Sequence, residues 1–322
     1  ISYGADEVNF YIIDYGSETL RMFDEFPQVG GMAFLGEDEK LKNLFKLIVN
    51  EIKHRKQLLI SYGGSLENYN NQNEEKLPYI LMILNNYEAI LEVYNYIYED
   101  IASIGRDSTR YGINLMITCN APSILGRKMG QCFDNRYALH LTDPSDYYAV
   151  FNMKCRVKPR DIVGRGLTCN DGIHEFQTSS IVGEGYNVTE YVNLVSKKIK
   201  DISKVVARPI PSLPEIVTME LVVKEISTLD KVPIGISKDS LKIVKYDFTA
   251  YNATIISSNK LKNINSFMDS LLKIFSKMNN VNVFFLDILQ LLPSAKEISN
   301  IKYFDSNFDS LLDKILEIEK GM

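Results

Sequence analysis

Two short apolar runs, far apart in the chain and alike in register, constrain the fold more than any other feature. Val8-Asn9-Phe10-Tyr11-Ile12-Ile13-Asp14 recurs as Val281-Asn282-Val283-Phe284-Phe285-Leu286-Asp287, with three identities in the aligned positions. Each run is rich in β-branched and aromatic residues and ends in aspartate, the pattern of a strand buried on both faces of a parallel sheet. Leu41, Leu44, Phe45, Ile48 and Ile52 follow the first copy at helical spacing, and Phe308, Leu311, Leu312, Ile315 and Ile318 follow the second. A strand and its later helix therefore repeat together, which predicts tandem modules of one architecture.

Strands and helices alternate between the copies. Ile80 to Leu84, Ile113 to Cys119 and Tyr137 to Leu141 read as strands, and Ile90 to Gly105 and Val188 to Ile202 as helices. Gly164-Arg165-Gly166-Leu167 with His174-Glu175-Phe176-Gln177 reads as a hairpin whose glycines supply positive φ. This alternation predicts a parallel α/β sheet with its ligand site at the C-terminal ends of the strands. Three prolines in Pro209-Ile210-Pro211-Ser212-Leu213-Pro214 forbid regular structure. The expected organisation is a first module over 1–206, a linker over 207–214 and the beginning of a second module over 215–322. Ile216, Met219, Val222, Val223 and Ile226 would form one face of a docking helix.

The 322 residues favour two units, and 45% hydrophobic with 24% charged residues suits a globular chain with a sizeable core. A net charge of -5 argues against a dominant phosphate-binding surface and hence against nucleic acid as the main partner. No run reaches the roughly 20 apolar residues of a membrane-spanning helix. Cys119, Cys132, Cys155 and Cys169 lack Cys-Xaa-Xaa-Cys spacing, and His54, His140 and His174 are scattered, so no metal or nucleophile constellation emerges.

The polar residues at the predicted strand ends carry the functional signal. Leu77-Pro78-Tyr79-Ile80-Leu81-Met82-Ile83-Leu84 runs into Asn85-Asn86, where an ATP-hydrolysing site of this architecture needs one acid to hold Mg²⁺ and another to polarise water. Amides supply neither the negative charge nor the proton acceptor. Thr118 and Asn120, at the end of the next strand, are candidates to sense a γ-phosphate. Arg106 and Arg110 could act on a neighbour's phosphates or cap the preceding helix. In the second module, Tyr251 to Asn263 predicts strand, loop and helix, the topology of a phosphate-binding loop but without glycine; Lys260 and Lys262 are its candidate anion contacts. The helix beyond offers Ile264, Phe267 and Met268 as a candidate groove for a partner's amphipathic helix.

Taken in order, Phe10 to Glu18, Leu77 to Glu88, Gly164 to Leu167 and Phe176-Gln177 resemble the FtsK/SpoIIIE family of RecA-like, P-loop-type translocase ATPases, and within it the C-terminal ATPase modules of type VII secretion motors. The resemblance spans nearly the whole chain. It implies ATP and Mg²⁺ as the family's cofactors, small helical secreted proteins and neighbouring modules of the same chain as partners, a hexamer, and a place on the cytoplasmic face of the membrane. It also implies that the first module's phosphate loop would precede Val8. The amides at Asn85 and Asn86 and the glycine-free loop at 256–263 depart from the family pattern, so negligible hydrolysis is expected. A DNA-translocating member of the family and a scaffold that binds no nucleotide are the alternative readings.

Overall fold

Both faces of the first apolar run are buried, and it becomes the second strand of a four-stranded parallel sheet. The computed structural model describes all residues except 1–2, 184, 186, 223–227, 239, 252, 279–280, 306–307 and 321–322. Its contacts divide the chain into two units, Ile1–Ser212 and Leu213–Met322.

In the first unit, β1 (Val8–Asp14) pairs in parallel with β2 (Val29–Phe34) on one side. After α1 (Asp38–Leu58) and α2 (Leu66–Gln72), the chain returns as β3 (Tyr79–Asn85) on the other side of β1. Next come α3 (Tyr87–Val93), α4 (Tyr98–Asp107) and β4 (Ile113–Ile117), giving the order β2-β1-β3-β4. Tyr11, Ile13 and Tyr15 pack on one face against Leu41, Leu44 and Ile48 of α1 and Ile90 and Ile101 of the later helices. Ile12 packs with Met32 and Phe34 on the opposite face. A buried side chain of this size contributes about 1.5–3 kcal/mol, so the fully buried Ile13 is among the principal anchors of the sheet. Asp38 and Glu39 in the first turn of α1, and Arg55 and Lys56 in its last, complement the helix dipole.

The expected single helix over 90–105 is instead α3, a short 3₁₀ turn at Asn95–Ile97, and α4. Tyr94 leaves helical geometry at φ -128, ψ 56, and its buried side chain donates a hydrogen bond to Asp38 at the start of α1. The expected strand ending at Cys119 stops at Ile117, because Thr118 turns to serve the strand-end polar groups described below.

The remainder of the first unit comprises α5 (Gly126–Gly130), β5 (Tyr137–Leu139), α6 (Pro144–Phe151), β6 (Arg165–Cys169), β7 (Ile173–Gln177) and α7 (Val188–Ile202). Strands β5, β6 and β7 form an antiparallel sheet closed by Tyr147 and Phe151. Asn187 caps α7 through the N–H groups of Thr189 and Glu190, and Lys200 pairs with Glu25 at 2.7 Å.

Past α7 the proline-rich segment lies as a strap beside β2. The Ala207 N–H donates to the Pro27 carbonyl at 2.7 Å, and the Ile210 N–H donates to the Gly30 carbonyl at 3.0 Å. The Tyr11 hydroxyl donates to the Arg208 carbonyl at 2.8 Å. Gly30 and Gly31 make this approach possible. A Cβ on Gly30 would lie 2.6 Å from the Arg208 carbonyl oxygen, and one on Gly31 2.7 Å from Ile210. Ile210 enters the main core, and an otherwise open sheet edge is covered.

The second unit begins with α8 (Met219–Val222); Ile216 is exposed ahead of it, and Val223 and Ile226 lie outside the described residues. An antiparallel pair, β8 (Val232–Ile236) and β9 (Ile243–Tyr246), precedes α9 (Leu261–Phe275). The expected strand before α9 is absent: the described residues between 251 and 260 have no strand conformation, and Ile255 is 92% exposed. Its contacts with β9 run through side chains: the Tyr251 ring lies 6.3 Å from that of Tyr246, and the Thr254 and Tyr246 hydroxyls are 2.7 Å apart. The second apolar run becomes β10 (Val283–Leu286), parallel to β11 (Ile301–Phe304) and followed by α10 (Phe308–Lys320). Strand, parallel strand and helix thus occur in the same order as β1, β2 and α1.

Candidate functional site at the strand ends

The register of β1 with β3 sets Asp14 opposite Asn85, and β4 places Thr118 beside them. Asp14 is fully buried. One of its oxygens accepts from the Asn85 side-chain amide at 2.8 Å and from the Gly16 N–H at 3.0 Å; the other accepts from the Leu20 N–H at 3.2 Å. The Asn85 carbonyl oxygen accepts from the Thr118 hydroxyl at 2.7 Å, and that hydroxyl accepts from the Asn86 backbone N–H at 3.0 Å. Asn86 has left-handed geometry at φ 62, which asparagine tolerates, and its side-chain amide donates to the Tyr15 carbonyl at 3.2 Å. The result is a closed polar circuit from Asp14 through Asn85, Thr118 and Asn86 to Tyr15. Each end of the Asn85 carboxamide is already bonded.

Glu88, in the first turn of α3, secures the loop after β4 by accepting from the Asn120 N–H at 2.5 Å and the Ala121 N–H at 2.8 Å. Burial, reinforced by this carboxylate, pushes the Cys119 thiol up to about 11, so it stays protonated at neutral pH. Burial also raises the Tyr87 and Tyr15 hydroxyls far above their ordinary value. None of these groups is poised as a base near neutrality.

The other sequence-predicted residues lie elsewhere. Arg106 closes α4 and pairs with Asp107 at 3.4 Å, while the Arg110 guanidinium sits 6.0 Å from the centre of the Tyr111 ring. Both precede β4, at the opposite end of the sheet from Thr118 and Asn120. The cap that the arginines could have supplied comes from buried Ser108, whose hydroxyl lies 2.5 Å from the Ile104 carbonyl and 2.8 Å from that of Ile113. In the second unit Lys260 and Lys262 are exposed at the start of α9. Phe267 and Met268 pack with Val232, Leu271 and Ile274 inside that unit, and Ile264 is half-buried.

Sequence reasoning missed two polar centres. Arg55 is almost completely buried, donating to Glu51 at 2.8 Å and to the Tyr111 carbonyl at 2.9 Å. Its spacing after Ile48 and Ile52 placed it on the apolar face of α1, a signal that was available. The second is Asp287, whose carboxylate accepts from the Leu291 N–H at 3.0 Å, the Leu292 N–H at 2.7 Å and the Tyr303 hydroxyl at 3.0 Å. Burial works to raise this carboxyl, but those three donors and Lys296 outweigh it and hold it below the usual range. Asp14 and Asp287, the repeated aspartates, thus each tie down the loop after their strand.

Secretion proteins stand among the curated relatives of this chain. It is 22% identical over 321 residues to the type VII secretion system protein EssC of Staphylococcus aureus (strain MRSA252), covering 92% of this chain and 22% of that protein. It is 24% identical over 268 residues to the ESX secretion system protein YukB of Bacillus subtilis (strain 168), covering 79% and 18%. The chain therefore spans about a fifth of the length of these relatives. Among solved structures, ATPases 2 and 3 of EssC from Geobacillus thermodenitrificans superpose with a TM-score of 0.86 at 19% identity, covering 99% of this chain and 63% of that one. ATPases 2 and 3 of Thermomonospora curvata EccC, in complex with a signal sequence peptide, superpose at 0.67 with 20% identity, covering 98% and 59%. These likenesses identify the fold as that of P-loop ATPase modules. The FtsK/SpoIIIE family pattern itself matches residues 1–180, more than half of the sequence, and the chain belongs to that family.

Proposed function

We propose that this chain is a stretch of two successive ATPase-fold modules of a type VII secretion motor, whose first module works in binding and assembly rather than hydrolysis. The observation that carries the reading is the closed circuit at the strand ends. Where a hydrolytic site needs a free carboxylate for Mg²⁺ and another for water, Asn85 is bonded at both ends and all three donors facing Asp14 are engaged. This donor set does not fit a Mg²⁺ ion. ATP and Mg²⁺ belong to the family's general chemistry, and the polar groups that would meet them here serve as a fastener.

The secretion reading draws on EssC and YukB as relatives and on the EccC structure with its signal sequence peptide. On this reading the partners are small helical secreted proteins and the adjoining modules of the same motor, assembled as a hexamer at the cytoplasmic face of the membrane. Among the described residues no helix is long and apolar enough to cross a membrane. Labelled C-terminal peptide of a co-encoded secreted protein, titrated by fluorescence anisotropy with and without Mg-ATP, tests both parts. Saturable binding without turnover is the expected outcome; vigorous hydrolysis abolished by Asn86→Ala overturns it.

A further inference from the structure

A cavity lies away from the strand ends, along the outer side of α1. It encloses about 370 Å³ between α1 and the Asn95–Ile97 turn, within the size range of specific binding sites. Its floor is apolar: Leu41, Phe45 and Ile97 are buried beneath it, with Val49 beside them. Lys42, Lys46 and Lys53 stand exposed along its α1 wall. Lys42 and Lys53 are eleven residues apart on α1, about three turns of helix. Among the described residues neither Lys42 nor Lys53 has an ion-pair partner. Asp100 on the opposite wall gives the groove one basic side and one acidic side.

We propose that this groove is a docking site for an acidic amphipathic helix of a separate polypeptide. The inference rests on the reading that these modules bind protein partners, and adds to it a surface and a chemistry. A helix laid along α1 places apolar side chains over Phe45 and Ile97 and beside the 58%-exposed ring of Tyr96. Carboxylates three turns apart on that helix then meet Lys42 and Lys53, and the charge of Asp100 keeps them on the α1 side. The apolar floor provides affinity and the lysine row sets orientation.

The test uses the full chain and two labelled synthetic helical peptides, one with Leu and Glu on the same face and one with each Glu replaced by Lys. The acidic peptide should bind saturably and the basic one should not. Lys42→Glu with Lys53→Glu should weaken the acidic peptide about tenfold, while the paired Lys→Arg changes leave it nearly unaltered. Both lysines are exposed, so circular dichroism should show these variants folded. A photo-crosslinking residue at Tyr96 should capture the peptide. Equal binding of both peptides, indifference to the charge reversal, or crosslinking outside the groove overturns the proposal. If a co-encoded secreted protein's peptide fails to bind while the acidic probe still docks, the secretion reading falls and the groove stands. The opposite result removes the groove alone.

Discussion

Asn85 shows how one functional group decides the character of a site. Its amide donates to a buried carboxylate, which an acid at the same position cannot do while ionised. Asn85→Asp would set two carboxylates against each other, so the new acid's folded pKa would rise above its unfolded value. The variant should then be less stable than the parent at pH 7 by about 1–3 kcal/mol, and should recover as pH falls and the protonated acid donates to Asp14. Thermal melts at pH 7 and pH 4 would check this, and a deficit unchanged with pH would contradict it. Asn85, Asn86 and Thr118 were legible as strand-end residues because the apolar runs before them are long and continuous. The bonds among them were not legible, since they depend on inter-strand register, which one strand's composition does not report.

At the scale of elements, the strap and the Asp287 loop each make a testable claim. Ile210→Ala removes a nearly buried core side chain and should cost about 2–4 kcal/mol. Gly30→Ala should cost about 1–3 kcal/mol by pushing the strap off β2, because its Cβ would lie 2.5 Å from the Tyr11 ring. Urea unfolding of both variants would measure these losses, and parental stability would show that the strap is not seated. Asp287 has a carboxyl held low in the fold, so its contribution is complete above the unfolded value of about 4 and is lost as pH falls through the folded one. Acid should therefore loosen the loop after β10, with faster amide exchange at Leu291 and Leu292 below about pH 4; in Asp287→Asn that pH dependence should vanish. Strands β1 and β3 were readable because burial on both faces leaves a continuous apolar signature. The stretch 251–258 carries similar composition yet its described residues form no strand, for a β-branched run does not say whether a partner strand exists. The strap was read only as a linker because its prolines mask the single buried isoleucine between them.

For the whole molecule, the expectation is a two-unit protein without measurable turnover. Saturating Mg-ATP at a hundredfold excess over its Kd would stabilise a binding protein by about 2.7 kcal/mol. Differential scanning fluorimetry should show no such shift, alongside a flat phosphate-release trace; a clear rise in Tm would restore nucleotide to this chain's own chemistry. The strap also bears on how the protein is made. Synthesis runs from the N-terminus and domains generally fold as units in that order, yet the Tyr11 hydroxyl waits for a carbonyl 197 positions later in the chain. During translation the first unit therefore remains without its last core residue, Ile210, with the β2 edge bare, until α7 and the proline segment have left the ribosome. A ribosome paused before that point would hold a nascent chain whose open edge invites chaperones or pairing with other nascent chains, and synonymous codons that speed passage through 203–212 should raise the soluble yield.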